Sequence, residues 1–351
     1  MRSKQYTAIL WAVLAAALYA ISLPLSKILL AQIPPTLMAA LLYLGAGLGM
    51  AVLALLKGRD NAGQKEAKLT KKELPFTIGM VILDIAAPIF LMVGLSVTIA
   101  ANASLLSNFE IVATSLIAML IFKESISRRL WLAIILITLS SIILSVNTLA
   151  GFSFSLGSLF VLLACVCWGL ENNCTRKLSI KNPLQIVIIK GVSSGLGSLL
   201  IAFLILGERA DRLGFIIAAL VLGFFSYGLS IFFYVYAQRE LGAARTSAYY
   251  AVAPFIGVAL SFILFREIPT VSFIVALLIM LIGTYFATSE KHKHPHKHPQ
   301  MTHEHRHSHD DGHHAHAHEI PISGEHSHPH MHEEVTHEHS HTNDIHHAHT
   351  H

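Results

Sequence analysis

The sequence predicts an all-α polytopic membrane protein: ten transmembrane helices arranged as two inverted five-helix repeats. Three observations carry this expectation. Of 351 residues, 54% are hydrophobic and only 13% are charged, about half the charge of an ordinary soluble domain. Uncharged runs of about 20 residues, long enough to cross a bilayer, recur up to residue 288. Finally, the stretch Ala101 to Glu124 has a second copy in Ala244 to Glu267. Ala244 falls against Ala101, Ser247 against Ser104, Phe265 against Phe122, and Arg266-Glu267 against Lys123-Glu124. A repeat with matching ends marks an internal duplication.

The apolar runs are continuous rather than alternating, which excludes a β-barrel. Taken in order, the expected spans are 6–30, 35–56, 75–97, 101–122, 130–148, 155–175, 184–207, 213–237, 244–265 and 269–288. The run after Met1–Lys4 is too long for a signal peptide and is read as the first helix. Residues 1–150 form the first repeat and 151–288 the second, with 289–351 a separate tail. Pro35, Pro75, Pro183 and Pro269 fall near helix starts, where a missing N–H does no harm. Pro24, Pro88 and Pro254 fall inside spans, as kinks or as places where a carbonyl is freed.

Orientation follows from basic residues in short loops. Arg2, Lys4, the lysines between the second and third spans, Lys123, Arg128, Arg129, Arg176, Lys177, Lys181, Arg239 and Arg245 share one side. Only Arg209, Arg212 and Arg266 lie on the other. Both termini are therefore expected in the cytoplasm, in a chain that spans the cell membrane. Glu124 and Glu267 then face opposite sides, so the two copies are upside down relative to one another.

Five ionisable residues fall within spans: Lys27, Asp84, Glu110, Glu171 and Lys190. A charge at the bilayer centre costs about 2.5–3.5 kcal/mol on the insertion scale, so each is expected to face the protein interior. Lys27 lies near the end of its span and can pair with a helix end; it and Lys190 are the weaker functional candidates. Asp84, Glu110 and Glu171 are the candidate cation or proton sites, with Asn172 and Asn173 as an adjoining polar lining. Tyr227 and Tyr250 are added to this central group, against the competing reading of simple packing. Cys167, Glu171 and Cys174 recur at i, i+4 and i+7, hence on one helical face. Thiolates beside a carboxylate suit a soft or borderline divalent metal, whereas cysteine as a small buried hydrophobe is the plainer alternative.

All 23 histidines lie in the tail. It is nearly devoid of aliphatic residues and has no helical period, so disorder without a ligand is expected. The candidate metal ligands are His303, His305, His307, His309, His313, His314, His316, His318, His326, His328 and His330. Repeated H-x-H puts two imidazoles on one side of an extended chain, about 7 Å apart. Neutral imidazole with interspersed carboxylate suits nickel, cobalt or zinc.

The ten spans, the string LGAARTSAYYAVAPF (Leu241–Phe255), WGLENNCTRKLS (Trp168–Ser179) and LLSNFEIVATSLIAMLIFKE (Leu105–Glu124) resemble the EamA family of the drug/metabolite transporter superfamily. The likeness covers residues 6–288. It implies two inverted five-helix repeats and a central cavity lined by the first, third, fourth, sixth, eighth and ninth spans, with export of a small solute. Glu110 faces Ala253 in the alignment of the copies, so the site is expected to be asymmetric. The functional expectation is a proton-coupled exporter working by alternating access. Buried acids beside a histidine tail favour a divalent transition metal, nickel or cobalt, as substrate. An exporter of amino acids or similar metabolites with a regulatory metal-binding tail is the alternative, and a membrane metal sensor that moves nothing is the third. No nucleophile–base pair, H-E-x-x-H or phosphate loop is present, so no enzymatic activity is expected. The expected partners are the lipid bilayer and a small-molecule or metal-ion substrate; no nucleic acid and no obligatory cofactor are expected.

Overall fold

The computed structural model describes residues 2–56, 71–122, 126–147, 153–178, 182–241, 246, 249–289, 293–298, 301–307, 326–332 and 335–340. The first span is broken into Arg2–Ala20 and Ser22–Leu29, because Pro24 lacks the N–H that would bond the Ala20 carbonyl. The second is Pro35–Leu56 and the third Leu74–Val97. The fourth is broken into Ala100–Leu106 and Phe109–Phe122. At that break Ser107 Oγ donates to the Ser104 carbonyl at 2.7 Å and Asn108 Nδ2 to the Leu105 carbonyl at 3.1 Å, bonds that compete with the helical ladder. The fifth, Arg128–Ser145, opens on Ser127, whose hydroxyl accepts from the Leu130 N–H. The sixth is Leu156–Leu178. The seventh, Pro183–Leu200, opens on the Asn182 cap with Pro183 in the first turn, and runs on through a π-helical turn at Ile201–Ile205.

The eighth span is Leu213–Gly223, a π-helical insert Phe224–Leu229, and Ser230–Leu241. The ninth is Ala253–Phe265, ended by Arg266 in the left-handed conformation, and the tenth is Val271–Thr288, capped by Thr270. Among the described residues nine helical stretches are long and apolar enough to cross a membrane, and Ala253–Phe265 is a shorter apolar helix. The expected start of the ninth span, with 242–245 and 247–248, lies outside the described residues.

The packing is two-fold. The third span packs on the sixth, and the eighth on the first; second meets seventh, fourth meets ninth, and fifth meets tenth. Exchanging the halves turns the first two of these contacts into one another and each of the other three into itself, as a two-fold relation requires. Five crossings per half is an odd number, so the halves run in opposite senses through the membrane. The second and seventh spans touch backbone to backbone: a methyl on Gly191 would stand 2.5 Å from Gly47 Cα. Ser140 Oγ donates to the Ala276 carbonyl at 2.7 Å between the fifth and tenth. Leu42, Met92, Leu95 and Ile137 are buried between helices, whereas Leu55, Leu204, Ile263 and Val271 are exposed on the outer face, where lipid takes the place of water.

Residues 146–147 pair antiparallel with 153–154 at the junction of the halves. In the tail, Lys293–His298 pairs antiparallel with Val335–Ser340, and Met301–His307 with His326–His332. These stretches are extended rather than irregular. Alternation of histidine with a second residue has the two-residue period of a strand.

Candidate functional site

Asp84, on the third span, and Glu171, on the sixth, are buried, and Lys190 on the seventh lies between them. Lys190 Nζ is 3.1 Å from Asp84 Oδ2 and 3.0 Å from Glu171 Oε1. The half-buried Lys190 ammonium compensates the two buried carboxylates, which is how charge survives in a span. Tyr43, on the second span, donates its hydroxyl to Asp84 Oδ1 at 2.9 Å and lies 3.4 Å from Trp168 Nε1, which donates to it. Thr175, one turn beyond Glu171, donates its hydroxyl to Glu171 Oε1.

Glu110 belongs to the first turn of the second half of the broken fourth span, where the helix N-terminus favours a carboxylate. Its Oε1 accepts from Asn172 Nδ2 at 2.7 Å, and the same amide lies 3.2 Å from Thr114 Oγ1. Asn173 turns the other way and ties two backbones together, donating to the Gly169 carbonyl at 2.8 Å and the Thr114 carbonyl at 3.2 Å.

Tyrosines from both halves meet beside these groups. The Tyr19 ring is 5.8 Å from Tyr227 and 5.7 Å from Tyr250, and Tyr43 is 5.6 Å from Tyr227. Tyr227 sits in the π-helical insert of the eighth span, a local irregularity that often marks functional positions. Tyr250 shares a 3.2 Å hydrogen bond with Ser230, whose hydroxyl also reaches the Ala15 carbonyl at 2.8 Å.

Of the expected site residues, Asp84 and Glu171 meet through Lys190; Glu110 and Asn172 meet each other; Tyr227 and Tyr250 join the tyrosine group. Lys190, ranked low from sequence, is the hub. Tyr19, Tyr43, Thr114 and Thr175 were not singled out, since nothing along the chain separates them from packing residues. Lys27 donates to the carbonyls of Leu95, Ser96 and Thr98 at 2.7, 3.1 and 2.7 Å. It holds the C-terminal end of the third span, as its position near a helix end implies.

The cysteines do not form a site together. Cys165 is buried, with Sγ 3.7 and 3.8 Å from the Leu106 and Ser107 carbonyls. Cys174 packs with Met80, Leu178 and Ile186, while Cys167 packs against the main core. Among the described residues no three His, Cys, Asp or Glu side chains are grouped so as to hold a metal ion. In the tail, His303 stands in register with His330, His305 with His328 and His307 with His326. His309, His313, His314, His316 and His318 lie outside the described residues.

Comparison with known proteins agrees with this architecture. The profile of the EamA-like transporter family matches twice, over residues 6–146 and 155–289. An uncharacterized transporter of Methanothermobacter thermautotrophicus (strain Delta H) is 30% identical over 284 residues, covering 76% of this chain and 82% of the relative. The uncharacterized transporter YyaM of Bacillus subtilis (strain 168) is 24% identical over 229 residues, covering 62% and 74% respectively. A solved crystal structure with 18% identity and a TM-score of 0.58 covers 80% of this chain and 96% of its own; this is a likeness of fold alone.

Proposed function

The chain belongs to the EamA-like transporter family, and on that premise we propose that it is a proton-coupled secondary exporter of a small organic solute carrying an amino group. The observation that carries this reading is the cluster of Asp84, Glu171, Lys190 and Glu110 with four tyrosines, drawn from both halves of the chain. Buried charge of both signs beside aromatic faces suits an amphoteric solute of amino-acid type. Its ammonium would meet a carboxylate, its carboxylate the Lys190 ammonium, and its apolar part the tyrosines. Glu110, held by an amide and no cation in the contacts above, is the carboxylate best placed to exchange a proton for the solute.

A divalent metal substrate is supported less well. Asp84 and Glu171 already share Lys190, and the cysteines are dispersed among apolar neighbours. The basic loops favour a cell-membrane protein with both termini in the cytoplasm. The tail is then a cytoplasmic binder of nickel, cobalt or zinc that regulates or buffers rather than conducts. The register of three histidines against three others supports that second role. Overproduction and deletion in a host strain, with secreted metabolites and metal tolerance measured together, tests the reading. Altered amino-acid secretion with unchanged nickel and cobalt tolerance supports it, and the reverse pattern overturns it.

A further inference from the structure

The helix packing is two-fold but the charge is not. Lys190 ties the seventh span to the third through Asp84 and to the sixth through Glu171. The two-fold turns the seventh, third and sixth spans into the second, eighth and first, and among the described residues no ion pair joins these three. The second and eighth spans meet through glycine and backbone: a methyl on Gly45 or Gly223 would stand 2.0 Å from the Leu220 or Leu42 carbonyl oxygen. The eighth and first spans meet through the Ser230 bond to Ala15 and the stacked rings of Trp11 and Phe233, 4.6 Å apart. One group of three spans is therefore tied by an ion pair in mid-membrane, and its two-fold counterpart shows no such tie among the described residues.

We propose that Lys190 is a tethered counter-cation that keeps the third, sixth and seventh spans together while Asp84 and Glu171 are both ionised, and releases them when one of those carboxylates takes up a proton. The proposal rests on the transporter reading above and deepens it. With both acids ionised the trio carries a net charge of −1, and Lys190 is drawn to both. A proton from the aqueous side forms one O–H bond on a carboxylate oxygen. Lys190 keeps its own proton, the trio becomes neutral, and one of its two arms no longer holds. The other groups around the trio are Tyr43 on Asp84, Thr175 and Cys174 one turn from Glu171, Glu110 on the fourth span beyond Asn172, and Tyr227 on the eighth. None of them supplies a second cation. The two-fold counterpart needs no proton to part. Only one of the two half-cycles then depends on acid at this seam, a requirement that adds to the proton exchanged at Glu110.

Hydrogen–deuterium exchange on the full chain in nanodiscs tests this without knowledge of the solute. Exchange is followed at about pH 5.5 and about pH 8 and corrected for intrinsic rates. In the wild type, the third and seventh spans should exchange about tenfold faster at the acidic pH. The counterpart seam of the second and eighth spans should not respond. Lys190→Met should exchange fast at both values, Lys190→Arg should behave as wild type, and Asp84→Asn should lose most of the acid response. A wild-type seam indifferent to pH, or Lys190→Met retaining the acid response, overturns the proposal. Because no solute enters the measurement, failure to find an amino-acid substrate sinks the functional reading and leaves this one standing.

Discussion

Lys190 and Asp84 come from different halves of the chain, yet the Lys190 ammonium stands 3.1 Å from the Asp84 carboxylate, inside spans where neither is affordable alone. Removing one partner of a buried pair leaves an uncompensated charge, a loss of about 3–5 kcal/mol. Lys190→Met should therefore lower the thermal unfolding midpoint in detergent, measured by intrinsic fluorescence. The double variant Lys190→Met with Glu171→Gln should recover part of the loss, because it removes a charge of each sign.

Tyr43 gives the second support of Asp84. Its hydroxyl is a donor to a carboxylate, and such bonds contribute about 1.5–3 kcal/mol. Tyr43→Phe should destabilise by less than the loss of Lys190 and leave the fold intact by circular dichroism. A destabilisation as large as that of Lys190→Met would mean that the hydroxyl, the one group this change removes, supports Asp84 as strongly as the ammonium does.

The crossing of the second and seventh spans has no room for a side chain. Gly191→Leu puts carbon atoms against the Gly47 backbone, and the helices have to separate to admit them. The expected outcome is loss of the monodisperse peak in fluorescence-detected size-exclusion chromatography, whereas Gly214→Ala, where a methyl meets nothing within 4 Å, should leave the peak unchanged.

The tail histidines should bind metal only while neutral. An imidazole of ordinary pKa, about 6.5, holds a metal above that value and gives it up as protons compete below it. Equilibrium dialysis with nickel should show binding to the full chain at pH near 7.5, its loss at pH near 5, and none to a chain ending at residue 288. Binding retained by the shortened chain would move the metal site into the membrane part.

How much of this was legible beforehand depends on what a single sequence can express. Asp84, Glu110 and Glu171 interrupt apolar runs and stand out at once, and the breaks at Pro24 and the caps at Ser127, Asn182 and Thr270 follow local rules. Partnership does not. Lys190 looks like any lysine in a span until the packing of the seventh span on the third lets its side chain reach the carboxylates of both the third and the sixth. The spacing of Cys167, Glu171 and Cys174 correctly puts them on one helical face. The face is nevertheless shared by different neighbours, with Met80 and Ile186 taking Cys174. Asn173 reads as lining beside Asn172, but a turn of 100° about the helix sends its amide to the Gly169 and Thr114 carbonyls. The π-helical insert carrying Tyr227 has no sequence signature comparable to a proline.

The central claim is that solute and protons pass in opposite directions through a site that includes Glu110. Proteoliposomes loaded with a labelled amino-acid mixture, with an acidic exterior imposed, test it most directly. The wild type should release label faster under the pH gradient, with matching acidification inside, and Glu110→Gln should abolish the gradient dependence. Label release by the wild type that is indifferent to the gradient, or a Glu110→Gln protein that still follows it, would contradict the account.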